Sequence, residues 1–129
     1  MPELTVRKPR PIWYNINLLN LPVPGIVSIF HRISGLLLTL AIIGLLYCLD
    51  GSLKSEVDFG QIRGGLSHPL VKLVALGFMW SFLHHFCAGI RFLFLDLGKG
   101  INLSSARATA YAVFIVSGLL TLILGVKIW

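Results

Sequence analysis

Residues 68–96 have the sequence HPLVKLVALGFMWSFLHHFCAGIRFLFLD, which contains no Asp, Glu, Lys or Arg between Lys72 and Arg91. A helix needs about 20 predominantly apolar residues to span the hydrocarbon of a bilayer. Residues 26–49 and 105–129 form two further apolar runs of sufficient length. The sequence therefore predicts an all-α membrane protein with three transmembrane helices, at about 26–49, 68–96 and 105–129.

The connections between these runs are short and polar. Pro69 suits the first turn of the middle helix, where its missing N–H is not needed. Ser104 or Ser105 suits the N-cap of the last helix, because a serine hydroxyl can accept from the first free N–H groups. We expect residues 50–67 to form a polar, glycine-containing loop and residues 97–104 a short turn.

The composition of the chain supports a membrane location. Of the 129 residues, 56% are hydrophobic and 12% are charged, and the mean hydropathy is +0.85. This is too apolar for a soluble domain, and the length allows one domain. We expect residues 1–129 to form a single membrane-anchor domain, with an interfacial segment at 1–25 on the cytoplasmic side and a three-helix bundle at 26–129.

The basic residues predict the orientation of the helices. With the N-terminus in the cytoplasm, seven basic residues lie inside and four outside: Arg7, Lys8, Arg10, Arg32, Arg91, Lys99 and Arg107 inside, and Lys54, Arg63, Lys72 and Lys127 outside. Basic residues are enriched on the cytoplasmic side of membrane proteins. The N-terminus is therefore expected inside and the C-terminus outside. The net charge of +6 does not indicate nucleic-acid binding, because no basic face with interleaved aromatic residues is present.

Two adjacent histidines, His84 and His85, lie in the interior of the middle apolar run. Ionisable side chains are costly in hydrocarbon and mark functional sites. Imidazole is also a usual axial ligand of haem iron. His85 is therefore a candidate haem ligand through Nε2, with Nδ1 hydrogen-bonded to fix the tautomer. The alternative is a neutral histidine that joins two helices by a hydrogen bond. The side chain of His84 leaves the helix about 100° around its axis from that of His85, on the side of Arg91. We expect His84 at a helix contact.

A polar arc begins the first apolar run. Ser28, His31 and Arg32 fall within about 100° of one another on a helix, so they are expected to face the bundle. Arg32 can hold a propionate or polarise a carbonyl oxygen, or it can extend to the cytoplasmic interface like Arg91. Ser28 can be a ligand-binding hydroxyl or an N-cap. His31 can bond a propionate or a quinone headgroup, or mark the interface.

The cysteines carry no recognisable metal motif. Cys48 and Cys87 lie on different predicted helices, and the chain has no Cys-x-x-Cys or Cys-x-x-Cys-His. A thiolate metal site and a covalently attached haem are therefore not indicated.

Two ordered motifs, on the first and second predicted helices, point to a known family. They are Ser28-x-x-His31-Arg32-x-Ser34-Gly35 and His85-x-x-x-Gly89-Ile90-Arg91 followed by Asp96 and Gly98. With Arg10 and Pro11 in the N-terminal segment and three spans, nearly the whole chain resembles the cytochrome b subunits of succinate dehydrogenase, respiratory complex II. Two positions depart from the family pattern: Phe92, where many relatives have histidine, and His84, where an aromatic residue is common.

The resemblance implies an anchor in the bacterial inner membrane, with a periplasmic C-terminus, that holds haem b together with a second small hydrophobic subunit. His85 would be one axial ligand of the haem iron, and the partner would supply the other. His31 and Arg32 match positions near the haem propionates, and Ser28 and Arg32 match positions of the ubiquinone site. An iron–sulfur subunit and a flavoprotein subunit would bind on the cytoplasmic face.

The resemblance also implies that other subunits oxidise the succinate. The chain has no flavin or nucleotide motif, so it would act as a non-flavin subunit of a succinate:quinone oxidoreductase and not be catalytic alone. Two other classes remain open from the sequence: a small membrane transporter subunit, and a purely structural anchor without haem ligation. No carboxylate lies in the middle of a predicted span, which disfavours a carboxylate-coupled transporter.

Overall fold

A computed structural model describes residues 20–129, which form four α-helices: α1 (Val23–Ser52), α2 (Glu56–Leu66), α3 (Pro69–Asp96) and α4 (Leu103–Ile128). Of these, α1, α3 and α4 are long and apolar enough to cross a membrane. The prediction of an all-α protein with three membrane spans is confirmed. The interfacial segment expected at 1–25 lies mostly outside the described residues, including Arg10 and Pro11.

The first span starts and ends outside its predicted limits of 26 and 49. Pro22 is the N-cap of α1, and its carbonyl accepts from the N–H groups of Gly25 and Ile26 at 2.8 and 3.2 Å. Proline at 24 is tolerated because the first turn has no partner for its N–H. At the other end the helix continues to Ser52, since no proline interrupts it.

The prediction of a loop at 50–67 is wrong, because an 11-residue helix, α2, occupies most of this segment. Ser55 is its N-cap and accepts from the Asp58 N–H at 3.0 Å. Acidic residues in the first turn and Arg63 in the last complement the helix dipole. The helix is too short to cross a membrane, so the number of spans is unchanged.

The starts of the other spans differ in how well they were predicted. Pro69 occupies the first turn of α3, as expected, after the N-cap His68. The N-cap of α4 is Asn102, not Ser104 or Ser105, and the helix begins at Leu103. The turn between α3 and α4 contains Gly98 and Gly100 at φ +72° and +76°, a left-handed conformation that favours glycine.

Helix α3 packs extensively against both other spans, and α1 and α4 also contact each other directly. The core that joins them contains Val27 of α1, Ala88 of α3, and Ala110 and Val113 of α4. Small residues let helix backbones approach closely in a membrane. The buried positions of α4 are accordingly Ala110, Val113, Ser117 and Gly125, so this helix serves packing.

Candidate functional site

The ring of His85 lies in the contact between α1 and α3. Its Nδ1 is 3.0 Å from the main-chain carbonyl oxygen of His31 and 3.2 Å from Oγ of Ser34. A carbonyl oxygen only accepts, so Nδ1 carries the proton and donates it to the His31 carbonyl. The neutral ring then has its lone pair on Nε2. This is the tautomer expected of an imidazole that coordinates a metal through Nε2.

The ring of His31 stacks on that of His85. The ring centroids are 4.0 Å apart and the planes differ by 9°. Phe92 packs edge-on against the ring of His31, and the two ring centroids are 5.1 Å apart. Phe92, which departs from the family pattern, thus makes an aromatic contact with His31. We define the histidine pair as His31 and His85.

Two glycines lie opposite the histidine rings. A Cβ at position 35 would lie 2.9 Å from Cε1 of His85, closer than side chains approach one another. A Cβ at position 89 would lie 3.7 Å from Nε2 of His31, an ordinary contact. Gly35 is therefore required for the observed position of His85, whereas Gly89 only lies beside His31.

Ser34 is a site residue that the sequence reasoning did not single out, although it lies in the first motif. Its side chain is 2% exposed, and its Oγ donates to the His31 carbonyl at 2.9 Å. A polar side chain inside a span, three residues after His31, is the signal that could have identified Ser34 from the sequence. The helical arc of Ser28, His31 and Arg32 did not include it, because Ser34 lies about 60° outside that arc.

The structure does not bring the other predicted residues of α1 to His85. Ser28 is half-buried and Arg32 is exposed. Within residues 20–129, no hydrogen bond or ion pair links either side chain to the histidine pair. Both remain on the polar arc of α1, one on each side of His31 in sequence, with Arg32 open to surrounding molecules.

His84 is fully buried on a different face of α3 from His85. Its ring packs against Trp80 and Phe114, with centroids 5.1 and 5.0 Å away, and edge-on against Phe30. The expectation that it lies at a helix contact is confirmed. Neither of its ring nitrogens has a hydrogen-bond partner among the described residues. The buried face of α3, which also contains Ser81 and Ala88, is centred on this side.

Arg91 does not extend to the membrane interface, so this alternative is wrong. The residue is 7% exposed and points toward α4. Its Nε donates to Oγ1 of Thr109 at 3.1 Å, and its Nη2 donates to the Ala106 carbonyl at 3.2 Å. These oxygens satisfy part of the guanidinium inside the bundle, so the side chain need not reach water. A neighbouring groove of about 450 Å³ between α3 and α4 includes Arg91 and no residue of the histidine pair.

The donor set of the site suits iron that is already held by other ligands. Within the described part of the chain, no group of three or more His, Cys, Asp or Glu side chains could hold a metal ion. A single Nε2 therefore cannot retain a bare metal ion, because protein metal sites use three or four such ligands. It could instead hold haem iron, which the porphyrin already coordinates.

These features define a small multi-pass α-helical membrane protein with an oriented imidazole between two of its spans. Residues 6–124 match the family described as Succinate dehydrogenase/Fumarate reductase transmembrane subunit. The chain belongs to this family.

Several proteins named succinate dehydrogenase cytochrome b556 subunit are similar over most of the chain. That of Coxiella burnetii is 35% identical over 121 residues, covering 93% of this chain and 97% of the relative. That of Rickettsia prowazekii is 30% identical, covering 97% of this chain and 88% of the relative. That of Paracoccus denitrificans is 30% identical, covering 88% and 90%.

Proposed function

We propose that the chain is the haem-holding membrane anchor of a succinate dehydrogenase in a bacterial inner membrane. The observation that carries the proposal is the bond from Nδ1 of His85 to the His31 carbonyl at 3.0 Å, which leaves Nε2 free. Membership of the family supports the same role. The chain acts in an oxidoreductase complex as a non-flavin subunit of succinate:quinone oxidoreductase.

His85 would hold haem b as one axial ligand of the iron. The residues fit this group because Nε2 is available and the His85 ring is only half-buried. When bound, the haem supplies a one-electron carrier. The chain's own residues fix the imidazole of His85. The His31 carbonyl accepts a hydrogen bond from its Nδ1–H, and the His31 ring covers one face of it. A second small hydrophobic subunit would supply the other protein ligand.

The polar arc of α1 would bind the charged and polar groups near the haem. His31 and Arg32 would contact the propionates, and Ser28 and Arg32 would form part of the ubiquinone site. The exposure of Arg32 supports this assignment, because its guanidinium is free of ion pairs within residues 20–129. A fixed cation stabilises the negative charge that develops on a quinone oxygen as it is reduced. The Ser28 hydroxyl would donate to a quinone carbonyl.

The proposed orientation places this arc near the electron donors. With a cytoplasmic N-terminus and a periplasmic C-terminus, the arc lies in the cytoplasmic half of the membrane. An iron–sulfur subunit would bind there and pass electrons from a flavoprotein subunit to ubiquinone. Residues 1–25 would form the interfacial part of a single anchor domain. The carboxylates of the described spans, Asp50 and Asp96, lie in final helical turns, which disfavours a transporter.

The test is a dithionite-reduced minus oxidised visible spectrum of the membrane complex. We expect a b-type α-band in the wild type and its loss or shift in His85→Leu. His68→Asn is the matched control, because His68 caps α3 and asparagine can also act as an N-cap. The control should retain the band. A wild-type complex without a b-type band would contradict the proposal.

A further inference from the structure

We propose that Ser34 is a positioning residue for His85, and that its hydroxyl sets the orientation and electron density of the imidazole presented to the haem iron. This inference rests on the proposed function. Ser34 does not contact the iron in this scheme. It acts through the Nδ1–H of His85, on the opposite side of the ring from the free Nε2.

The inference starts from three atoms that lie within hydrogen-bond distance of one another. Oγ of Ser34 is 2.9 Å from the His31 carbonyl oxygen and 3.2 Å from Nδ1 of His85. Nδ1 is 3.0 Å from the same carbonyl oxygen. The Ser34 hydroxyl donates a hydrogen bond to the His31 carbonyl, so the lone pairs of its oxygen are available to the Nδ1–H of His85. The imidazole proton is therefore shared between two acceptors.

A serine that bonds a carbonyl of its own helix is common and by itself indicates no site. Two other buried serines show this ordinary arrangement: Ser81 donates to the Gly77 carbonyl, and Ser117 to the Phe114 carbonyl. Ser34 differs from both because its hydroxyl also contacts a side chain of another helix. Its 2% exposure keeps water from replacing the contact.

The hydroxyl affects the ligand in two ways. Hydrogen bonds from Nδ1–H to acceptors make a ligating imidazole more basic and favour the oxidised metal. With one acceptor removed, the imidazole becomes a weaker donor, so the midpoint potential of the haem should rise. The second acceptor also limits rotation of the ring about its bond to Cβ. Removal should therefore change the orientation of the His85 ring that would be presented to the iron.

Loss of the hydroxyl should not remove the haem. Three contacts remain on His85 without it: the His31 carbonyl on Nδ1, the stacked His31 ring, and the α1 backbone at Gly35. The expected phenotype is a haem-loaded complex with altered properties. This separates positioning by Ser34 from ligation by His85, whose substitution should remove or shift the b-type band.

The experiment compares Ser34→Ala, Ser34→Thr and the matched control Ser81→Ala in the assembled membrane complex. Threonine keeps a hydroxyl that can bond a helix carbonyl. Haem content is measured as the pyridine haemochrome, the midpoint potential by redox titration, and ligand orientation by the electron paramagnetic resonance of the ferric haem. We expect Ser34→Ala to raise the potential and shift the resonance, with Ser34→Thr and Ser81→Ala close to wild type.

Each other outcome has one meaning. Loss of haem in Ser34→Ala would overturn the inference, because the three remaining contacts on His85 should retain the haem. Equal potential and resonance in Ser34→Ala and wild type would overturn it and leave the proposed function intact. Equal disturbance in the alanine and threonine variants would assign Ser34 to packing and overturn it as well. A wild type without haem would overturn the proposed function itself.

Discussion

Gly35 of α1 faces the His85 ring with no room for a side chain. We expect Gly35→Ala to lower the haem content several-fold, because the added Cβ would lie 2.9 Å from Cε1 and push the ring away. Haem per complex, measured as the pyridine haemochrome, checks this. Gly44→Ala is the matched control, since a Cβ at position 44 of the same helix meets nothing within 4 Å. Equal haem content in the two variants would show that the ring accommodates the methyl group.

Arg32 offers a test of the proposed quinone site in which the proposed iron ligand, His85, is unchanged. We expect Arg32→Leu to lower succinate:quinone reductase activity by about 10- to 100-fold, the order of loss seen when a charge-stabilising donor is removed. The b-type band should remain. Arg107→Leu controls for loss of an exposed cation on the same side of the membrane. An unchanged kcat and KM in Arg32→Leu would exclude Arg32 from the quinone site.

The sequence indicated His85 and His31 as site candidates, because a regular helix fixes the direction in which each side chain leaves. It did not indicate that the rings stack, since this depends on how α1 and α3 approach one another. Ser34 was missed for the same reason: it lies outside the polar arc of its own helix and becomes part of the site through contact with α3. The roles of Ser28 and Arg32 stay predictions.

At the scale of helices, Arg91 connects α3 to α4 by two hydrogen bonds. We expect Arg91→Lys to destabilise the bundle by about 1–3 kcal/mol, because lysine keeps a buried charge but lacks the fork that reaches both oxygens. The midpoint of thermal denaturation in detergent should fall. Lys99→Arg, the reverse exchange at an exposed position, should leave it unchanged. A midpoint for Arg91→Lys equal to wild type would mean that these bonds contribute no net stability.

The length of each apolar run located the three spans with errors of up to three residues at either end. A membrane span is recognised by the average hydrophobicity of about 20 residues, so no single side chain decides it. The prediction failed at α2, where Gly60, Gly64 and Gly65 suggested a loop. The capping pattern of Ser55 and Asp58 was the available signal for a helix start. Arg91 was misplaced because its acceptors belong to α4, and sequence periodicity on α3 does not include them.

At the scale of the molecule, α1 is the least covered span. Its buried residues are Val27 and Ser34, while Leu45 and Tyr47 are 67% and 79% exposed. Lipid can cover such a surface, but it cannot supply a second axial ligand. We therefore expect the chain expressed alone to hold several-fold less b-type haem than the chain co-expressed with its proposed partner anchor. Haem per purified chain is the measurement. Full haem content in the lone chain would contradict a shared haem.

In the proposed haem site, the bond between His85 and the His31 carbonyl would couple haem retention to the contact between α1 and α3. One imidazole would face the iron with Nε2 and α1 with Nδ1–H, so α1 cannot move away from α3 without weakening the ligand. By mass action, haem that binds only when this contact is formed stabilises the contact by about 2.7 kcal/mol at a free haem concentration 100 times its dissociation constant. The stability of the contact between α1 and α3 would then depend on the haem supply of the cell.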